Sequence, residues 1–308
     1  MKYSKIPLTT SPLYLKNNLT STEQYMAFLS YNADKLKLNV VNKKTKEVRL
    51  ISIEDQSIPT SIQYMSDQTL IVTTMNGYYL YSENGQQQYH KLRNQLGDIS
   101  QFFISATLII PENQQPFYAI GFENKIIFID QKTPKQEFFG VNLKNIQPTC
   151  LTSYYQYLIY GDSKGYIHQN KCLAIQQVTE TKSLDLQSKD TTILSVQILE
   201  KKDSQPKIFI IVADFIGRLT IVDLINWEIL SIINSHIKPI TSLAINQQKE
   251  YFISGSDDTF INIWKLNQNL QPQLIQSHHL DDTIIVGITN DIFVAAYDQQ
   301  ELLYIENN

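Results

Sequence analysis

Tyr251-Phe252-Ile253-Ser254-Gly255-Ser256-Asp257-Asp258-Thr259-Phe260-Ile261-Asn262-Ile263-Trp264-Lys265-Leu266 reads as two short β runs around a tight polar turn. Phe252 and Ile253 lead into Ser-Gly-Ser; beyond the turn, Phe260, Ile261 and Ile263 alternate with Asn262 towards Trp264. This is the period-two pattern of half-buried strands joined as a hairpin. Upstream, Ser235-His236 precedes another run, Ile240-Thr241-Ser242-Leu243-Ala244-Ile245. A buried Asp258 needs donors, which His236 can supply, while the Trp264 indole N–H anchors on the serine–histidine side at Ser254. Asp257, one residue away, is expected at the surface.

With this unit as a template, groups of four strands recur at a spacing of about 40–45 residues. The first group starts at Leu13-Tyr14-Leu15 and continues through Met26–Leu29, Leu36–Val40 and Val48–Ile53. The second holds Ser61–Tyr64, Leu70–Thr73, an Asn76-Gly77 turn into Tyr78–Tyr81, and a strand near Tyr89; Asn-Gly between β runs is a strong hairpin signal. The third holds Phe102–Ile104, Phe117–Ile120, Lys125–Ile129 and Phe138-Phe139. The fourth runs from Thr149–Leu151 through Tyr157–Tyr160 and Tyr166–His168 to a weakly patterned segment between Leu173 and Leu186. The fifth holds Ile193–Val196, Ile208–Val212, Leu219–Asp223 and Ile229–Ile232. The sixth, the template itself, ends at Leu274-Ile275.

Ile284–Gly287, Phe293–Ala296 and Leu302–Ile305 then form a remainder of three strands, while Ser4–Leu8 is an orphan at the other end. The two leftovers complete each other. Residues 4–9 are expected to be the outer strand of the last blade, removing the open edge. Pro7 suits that place, because proline is tolerated on an edge strand. The expectation is therefore an all-β chain, residues 1–308, folded as a single seven-bladed β-propeller closed by the N-terminal strand; six or eight blades are the alternatives.

His236, Ser254, Asp258 and Trp264, in that order, resemble the hydrogen-bonded set of the WD-repeat β-propeller family. The resemblance is specific in this unit and a matter of pattern elsewhere: Val222-Asp223 stands where a Trp-Asp pair would sit, and Asn170 and Lys164 replace the tryptophan and the turn aspartate of the fourth unit. It implies a non-enzymatic protein–protein interaction scaffold in the cytoplasm, a signalling or cytoskeletal adaptor. The alternatives are a stable subunit of a larger ciliary or microtubule-associated assembly and a propeller-type hydrolase.

Chemistry-bearing patterns are few. His236, Ser254 and Asp258 superficially match a base, nucleophile and acid, but Trp264 and the spacing favour a buried structural network. Ser277-His278-His279-Leu280-Asp281-Asp282 invites a metal reading, yet adjacent side chains on extended backbone point apart, so no metal site is expected. Cys150 and Cys172 fall on the first and third strands of one blade, about 9–10 Å apart at about 4.8 Å per strand, too far for a disulfide. No catalytic residue and no cofactor is expected. The sequon Asn18-Leu19-Thr20 matters only in a secreted protein. The opening Met1–Pro7 lacks an apolar stretch and there is no run of about 18 apolar residues, so neither export nor membrane insertion is expected.

The chain of 308 residues carries a formal net charge of −4, which favours neither nucleic acid nor an anionic membrane. Strand order nevertheless sorts the loop charges into a polarity between the two faces, with chance scatter of loop charges as the alternative reading. The d–a and b–c connections of one face receive Asp34, Glu54, Asp55, Asp98, Glu123, Asp162, Asp214, Asp257, Asp281, Asp282, Asp298 and Glu301, partly offset by lysines such as Lys189. The opposite face receives Lys43, Lys44, Lys46, Lys132, Lys135, Lys201 and Lys202 against acids such as Glu47, Glu137 and Asp203. These lysines are the candidate docking residues for a protein partner bearing an acidic segment.

Overall fold

The computed structural model describes residues 3–54, 57–92, 103–135, 137–187, 190–202 and 206–305. Asp55, Asp98, Phe102, Lys189 and Asp203 lie outside the described residues. The chain forms seven four-stranded antiparallel sheets, the blades of a β-propeller. In blade 1 the strands are Thr20–Ser21, Tyr25–Asn32, Lys35–Asn42 and Val48–Ser52, from the channel outward. Blade 2 is Pro59–Tyr64, Leu70–Thr74, Gly77–Tyr81 and Gln87–Leu92; blade 3 is Phe103–Ile109, Phe117–Phe122, Lys125–Asp130 and Glu137–Asn142. Blade 4 is Pro148–Tyr154, Tyr157–Asp162, Tyr166–Ala174 and Gln177–Asp185; blade 5 is Ile193–Lys201, Lys207–Asp214, Arg218–Asp223 and Glu228–Asn234. Blade 6 is Ile240–Asn246, Tyr251–Ser256, Phe260–Leu266 and Pro272–His279. Blade 7 takes Ile285–Ile288, Phe293–Ala296 and Glu301–Ile305 from the end of the chain and Tyr3–Pro7 from its start.

Both faces of each blade pack on a neighbour, which explains the uninterrupted apolar runs of the second and third strands. In Gly77–Tyr81, Tyr79 and Tyr81 point to blade 1, whereas Tyr78 and Leu80 point to blade 3. The core is thus seven separate layers, one between each pair of blades, and the period of two assigns each side chain to one layer or the next. Small residues recur where blades approach most closely. A Cβ on Gly121, Gly161 or Gly255 would lie 2.7, 2.4 or 2.5 Å from a side chain of the following blade.

The last layer closes the ring. Tyr3 through Pro7 pair with Ile305 through Glu301, and Ile6 and Leu8 are buried with Phe28, Val41, Val286 and Leu302. Lys5 and Glu301 add an ion pair at 2.6 Å on the outside. Turns follow local chemistry: Asn42, Asp130 and Asp223 end third strands and Asn267 directly follows one, and each accepts backbone N–H groups two and three or four residues on. In blade 2 the turn residues are Met75-Asn76, not Asn76-Gly77. Gly77 is already strand, and a Cβ there would meet the Lys91 carbonyl at 2.4 Å.

Blade 1 departs from the expected strand layout. Leu13-Tyr14-Leu15 is not its inner strand; the paired inner residues are Thr20 and Ser21, opposite Ala27 and Met26. Pro12 bridges Ser30 and the Leu13 N–H donates to the Leu29 carbonyl, so residues 14–19 loop out of the sheet.

The closure can be tested directly. Ile6→Ala should cost about 2–5 kcal/mol in urea unfolding as a buried truncation, and Lys5→Ala, on the exposed ion pair, less than about 1 kcal/mol. Deletion of residues 1–10 should give an insoluble or strongly destabilised chain; an unchanged melting temperature would refute closure by this strand.

Candidate functional site: a plugged channel and its apolar rim

His236, Ser254, Asp258 and Trp264 meet as a connected chain of hydrogen bonds in blade 6. The Trp264 Nε1–H donates to Ser254 Oγ at 3.0 Å, Ser254 lies 2.8 Å from His236 Nε2, and His236 Nδ1 lies 3.0 Å from Asp258. One proton order satisfies every contact: Ser254 donates to Nε2, and Nδ1–H donates to the carboxylate. Asp258 also accepts from the Ile237 and Phe260 backbone N–H groups. The histidine ring is fully buried. Desolvation therefore holds it below its ordinary pKa, with Asp258 partly opposing the shift.

Other blades solve the same problem with different residues. In blade 4, Asp162 accepts from the Lys164 and Tyr166 N–H groups and faces His168 Nε2 at 3.0 Å, so the histidine comes from the third strand. Asn170 does stand at the tryptophan position, opposite Leu158. In blade 5, Asp214 accepts from Arg218 Nε at 2.9 Å. Blade 1 uses a buried triangle of Thr10, Ser30 and Asn39.

The looped-out residues 14–19 turn inward and fill part of the central channel. Asn17 reaches three positions on blades 5 and 6: its N–H donates to the Thr241 carbonyl, its Oδ1 accepts from Leu243 N–H, and its Nδ2 donates to Ser195 Oγ. The Asn18 N–H donates to the Val286 carbonyl of blade 7. The Asn18 side chain holds the base of the loop, donating to the Leu13 and Leu29 carbonyls and accepting from the Leu29 N–H. Asn18 is completely buried, so the folded protein offers no sequon there. Gly287 makes room for this plug: a Cβ on it would lie 2.4 Å from Leu19 N.

At the mouth, Tyr14 donates to Asp257 Oδ2 at 2.7 Å and packs edge-on against Tyr297. Asp257 therefore anchors the plug at the mouth, a role that the expectation of a surface position did not include. Its neighbour Oδ1 is buried and has no hydrogen-bond partner. Burial and this carboxylate raise the Tyr14 hydroxyl to about 12, which keeps it a donor at neutral pH. No local sequence signal separates residues 14–19 from a strand, since the partners that draw them inward are more than 170 positions away.

The remaining channel encloses about 560 Å³ and is lined by the inner strands of all seven blades. Around its mouth, the b–c turns and d–a connections expose Tyr14, Ile58, Met75, Phe215, Ile216, Ile237, Phe260 and Tyr297. Ile237 is 89% exposed, and its neighbours' backbone packs on the Gly217 turn that follows Phe215 and Ile216. These side chains share the rim with Glu54, Asp281, Asp282 and Asp298.

The candidate lysines occupy the opposite face but do not converge. Lys43, Lys44 and Lys46 belong to blade 1, Lys132 and Lys135 to blade 3, and Lys201 and Lys202 to blade 5. Carboxylates sit between them, including Glu23, Glu112, Asp130, Asp223 and Asp291. Lys43 is ion-paired with Asp291 at 2.6 Å, and Lys46 lies over the Phe293 ring. Cys150 and Cys172 are both buried free thiols, raised to about 11 and about 12 by desolvation. Among the described residues, no group of three histidine, cysteine or acidic side chains is arranged to hold a metal ion, and no helix is long and apolar enough to cross a membrane. The sequence matches no protein-family model, and no curated protein is significantly similar to it.

Two measurements check this site. Asn18→Ala leaves the Leu29 N–H buried without a partner, while the Leu29 carbonyl keeps the Leu13 N–H, and should cost about 1–3 kcal/mol in urea unfolding; Asn18→Asp should restore little, because its acceptor for that N–H comes with a buried charge and no donor for the Leu13 and Leu29 carbonyls. The depressed pKa of His236 makes stability complete above about pH 6.5, its unfolded value, and declining as pH falls below it. That decline should become shallower in His236→Gln.

Proposed function

We propose that the protein is a non-enzymatic interaction platform, docking a protein partner on the apolar rim around the plugged end of the channel. One observation carries the reading: eight large apolar or aromatic side chains are exposed on that rim, interspersed with carboxylates. Exposed apolar clusters with polar surroundings are the usual composition of docking surfaces, where desolvated aromatic and aliphatic anchors supply most of the affinity. The charges complement a partner segment carrying both apolar and basic side chains. On the opposite face, the a–b and c–d connections expose fewer large apolar side chains among the described residues, Ile110, Tyr155 and Ile225 among them, and the candidate lysines are divided among blades 1, 3 and 5.

The blade 6 set supports a relationship to WD-repeat proteins, which act as scaffolds. Local spellings such as Ile6-Pro7-Leu8, Asn17-Asn18-Leu19, Tyr81-Ser82-Glu83-Asn84-Gly85, Asp258-Thr259-Phe260 and Ile263-Trp264-Lys265-Leu266 are similar to WD repeat-containing protein 54. This likeness favours a cytoplasmic adaptor in signalling or at the cytoskeleton or cilium, and rests on sequence alone. Scaffolding on a propeller is itself an argument from fold to function, so the rim residues have to carry the test.

Ile237→Asp and Phe215→Asp should each weaken capture of the native partners by about 30-fold, the loss of about 2 kcal/mol expected of a central anchor. Lys132→Glu with Lys135→Glu should leave capture unchanged. Co-purification and gel filtration from native extract read both; retention of every partner by the rim variants would refute the assignment. Elution of the wild type far above its 35.6 kDa mass would place it within a stable assembly.

A further inference from the structure

Lys16 points from the plug into the channel and is the only charged side chain lining it among the described residues. The rest of the polar wall consists of neutral groups: Ser61, Gln63, Ser105, Thr149, Ser195 and Gln197 are among them. Among the described residues no carboxylate lines the channel beside Lys16. The surrounding protein pushes its pKa below the ordinary lysine value through desolvation, with the nearby Cys150 thiol acting weakly in the opposite sense. A lysine of this length normally extends its ammonium to bulk water or to a carboxylate. Here the hydrogen bonds of Asn17 and Asn18 to blades 1, 5, 6 and 7 fix the backbone next to Lys16, so that its side chain, exposed to solvent, lines the channel.

We propose that the channel is a binding site for a small organic monoanion, a molecule with one carboxylate and several hydroxyl groups. The charge count sets the valence: one ammonium neutralises one negative charge, and among the described residues the channel wall offers no second cation. The wall sets the remainder of the ligand, since serine and threonine hydroxyls and glutamine carboxamides both donate to and accept from hydroxyl groups. The channel volume of about 560 Å³ accommodates a molecule the size of a sugar acid. Such a ligand would bridge the plug and the strands facing it, so binding would stabilise the closed ring as well as the plug. The site shares Tyr14 with the apolar rim, and ligand binding to it can be measured without a docked partner.

Gluconate, glucose and inorganic phosphate distinguish the possibilities with the full chain. Calorimetry and thermal melts should show saturable gluconate binding in the range of about 0.1–10 mM, with glucose at least about tenfold weaker. Lys16→Met should reduce gluconate affinity at least about tenfold, and Lys16→Arg should retain most of it. Raising the pH should weaken gluconate binding to the wild type, because the ammonium is lost below the usual lysine range. The ligand-free Lys16→Met protein should melt at or above the wild-type temperature, which separates lost binding from misfolding. Equal binding of gluconate and glucose, unaltered gluconate binding by Lys16→Met, phosphate binding as tight as gluconate, or no binding of gluconate up to about 20 mM would each overturn the proposal.

Discussion

A blade with two apolar faces cannot be the end of anything. Each four-stranded sheet of this protein buries one face against the blade before it and the other against the blade after it, so an open row would leave two large apolar surfaces and two terminal sheets in water. Closing the row into a ring removes both at once. The pairing of Tyr3–Pro7 with Glu301–Ile305 secures that closure by placing the two ends of the chain in one sheet. Separating blades 7 and 1 would then require breaking a strand pair and exposing the layer around Ile6, Met26 and Phe28.

Within that frame the buried polar groups show how tolerant a repeat is of substitution. Blade 6 joins Trp264, Ser254, His236 and Asp258; blade 4 obtains an equivalent brace by moving the histidine to the third strand, and blade 5 replaces it with Arg218. The constraint common to these blades is that a polar residue near the end of the second strand finds a partner inside the blade, because a buried unpaired group costs about 1–3 kcal/mol. Residue type is free to vary once that requirement is met.

The central channel is where the ring departs from repetition. Residues 14–19 give up strand pairing in blade 1 and recover their hydrogen bonds from blades 5, 6 and 7. The exchange narrows the channel on one side, carries Lys16 into it, and brings Tyr14 to the mouth beside Asp257 and Tyr297. The plug therefore links the lumen to the rim, the two surfaces on which function is proposed here.

Alternation of apolar and polar residues, the spacing of about 40–45 residues between strand groups, and the typed positions of blade 6 were enough to reveal the seven blades, the closing strand and the hydrogen-bonded set, because each is governed by neighbours within a hairpin or by a repeat period. The orphan strand at the N-terminus and the three-stranded remainder at the C-terminus were legible for the same reason: each lacked a partner only the other could supply. The plug was not legible. Leu13-Tyr14-Leu15 has strand-like composition, and what pulls the following residues inward is the Thr241 carbonyl, the Leu243 N–H and the absence of a side chain at Gly287. Nor could spacing alone show that Asp257 holds Tyr14. Pairings inside a blade are written in consecutive residues, whereas contacts across the channel are set by ring closure, which brings together residues that no local pattern connects.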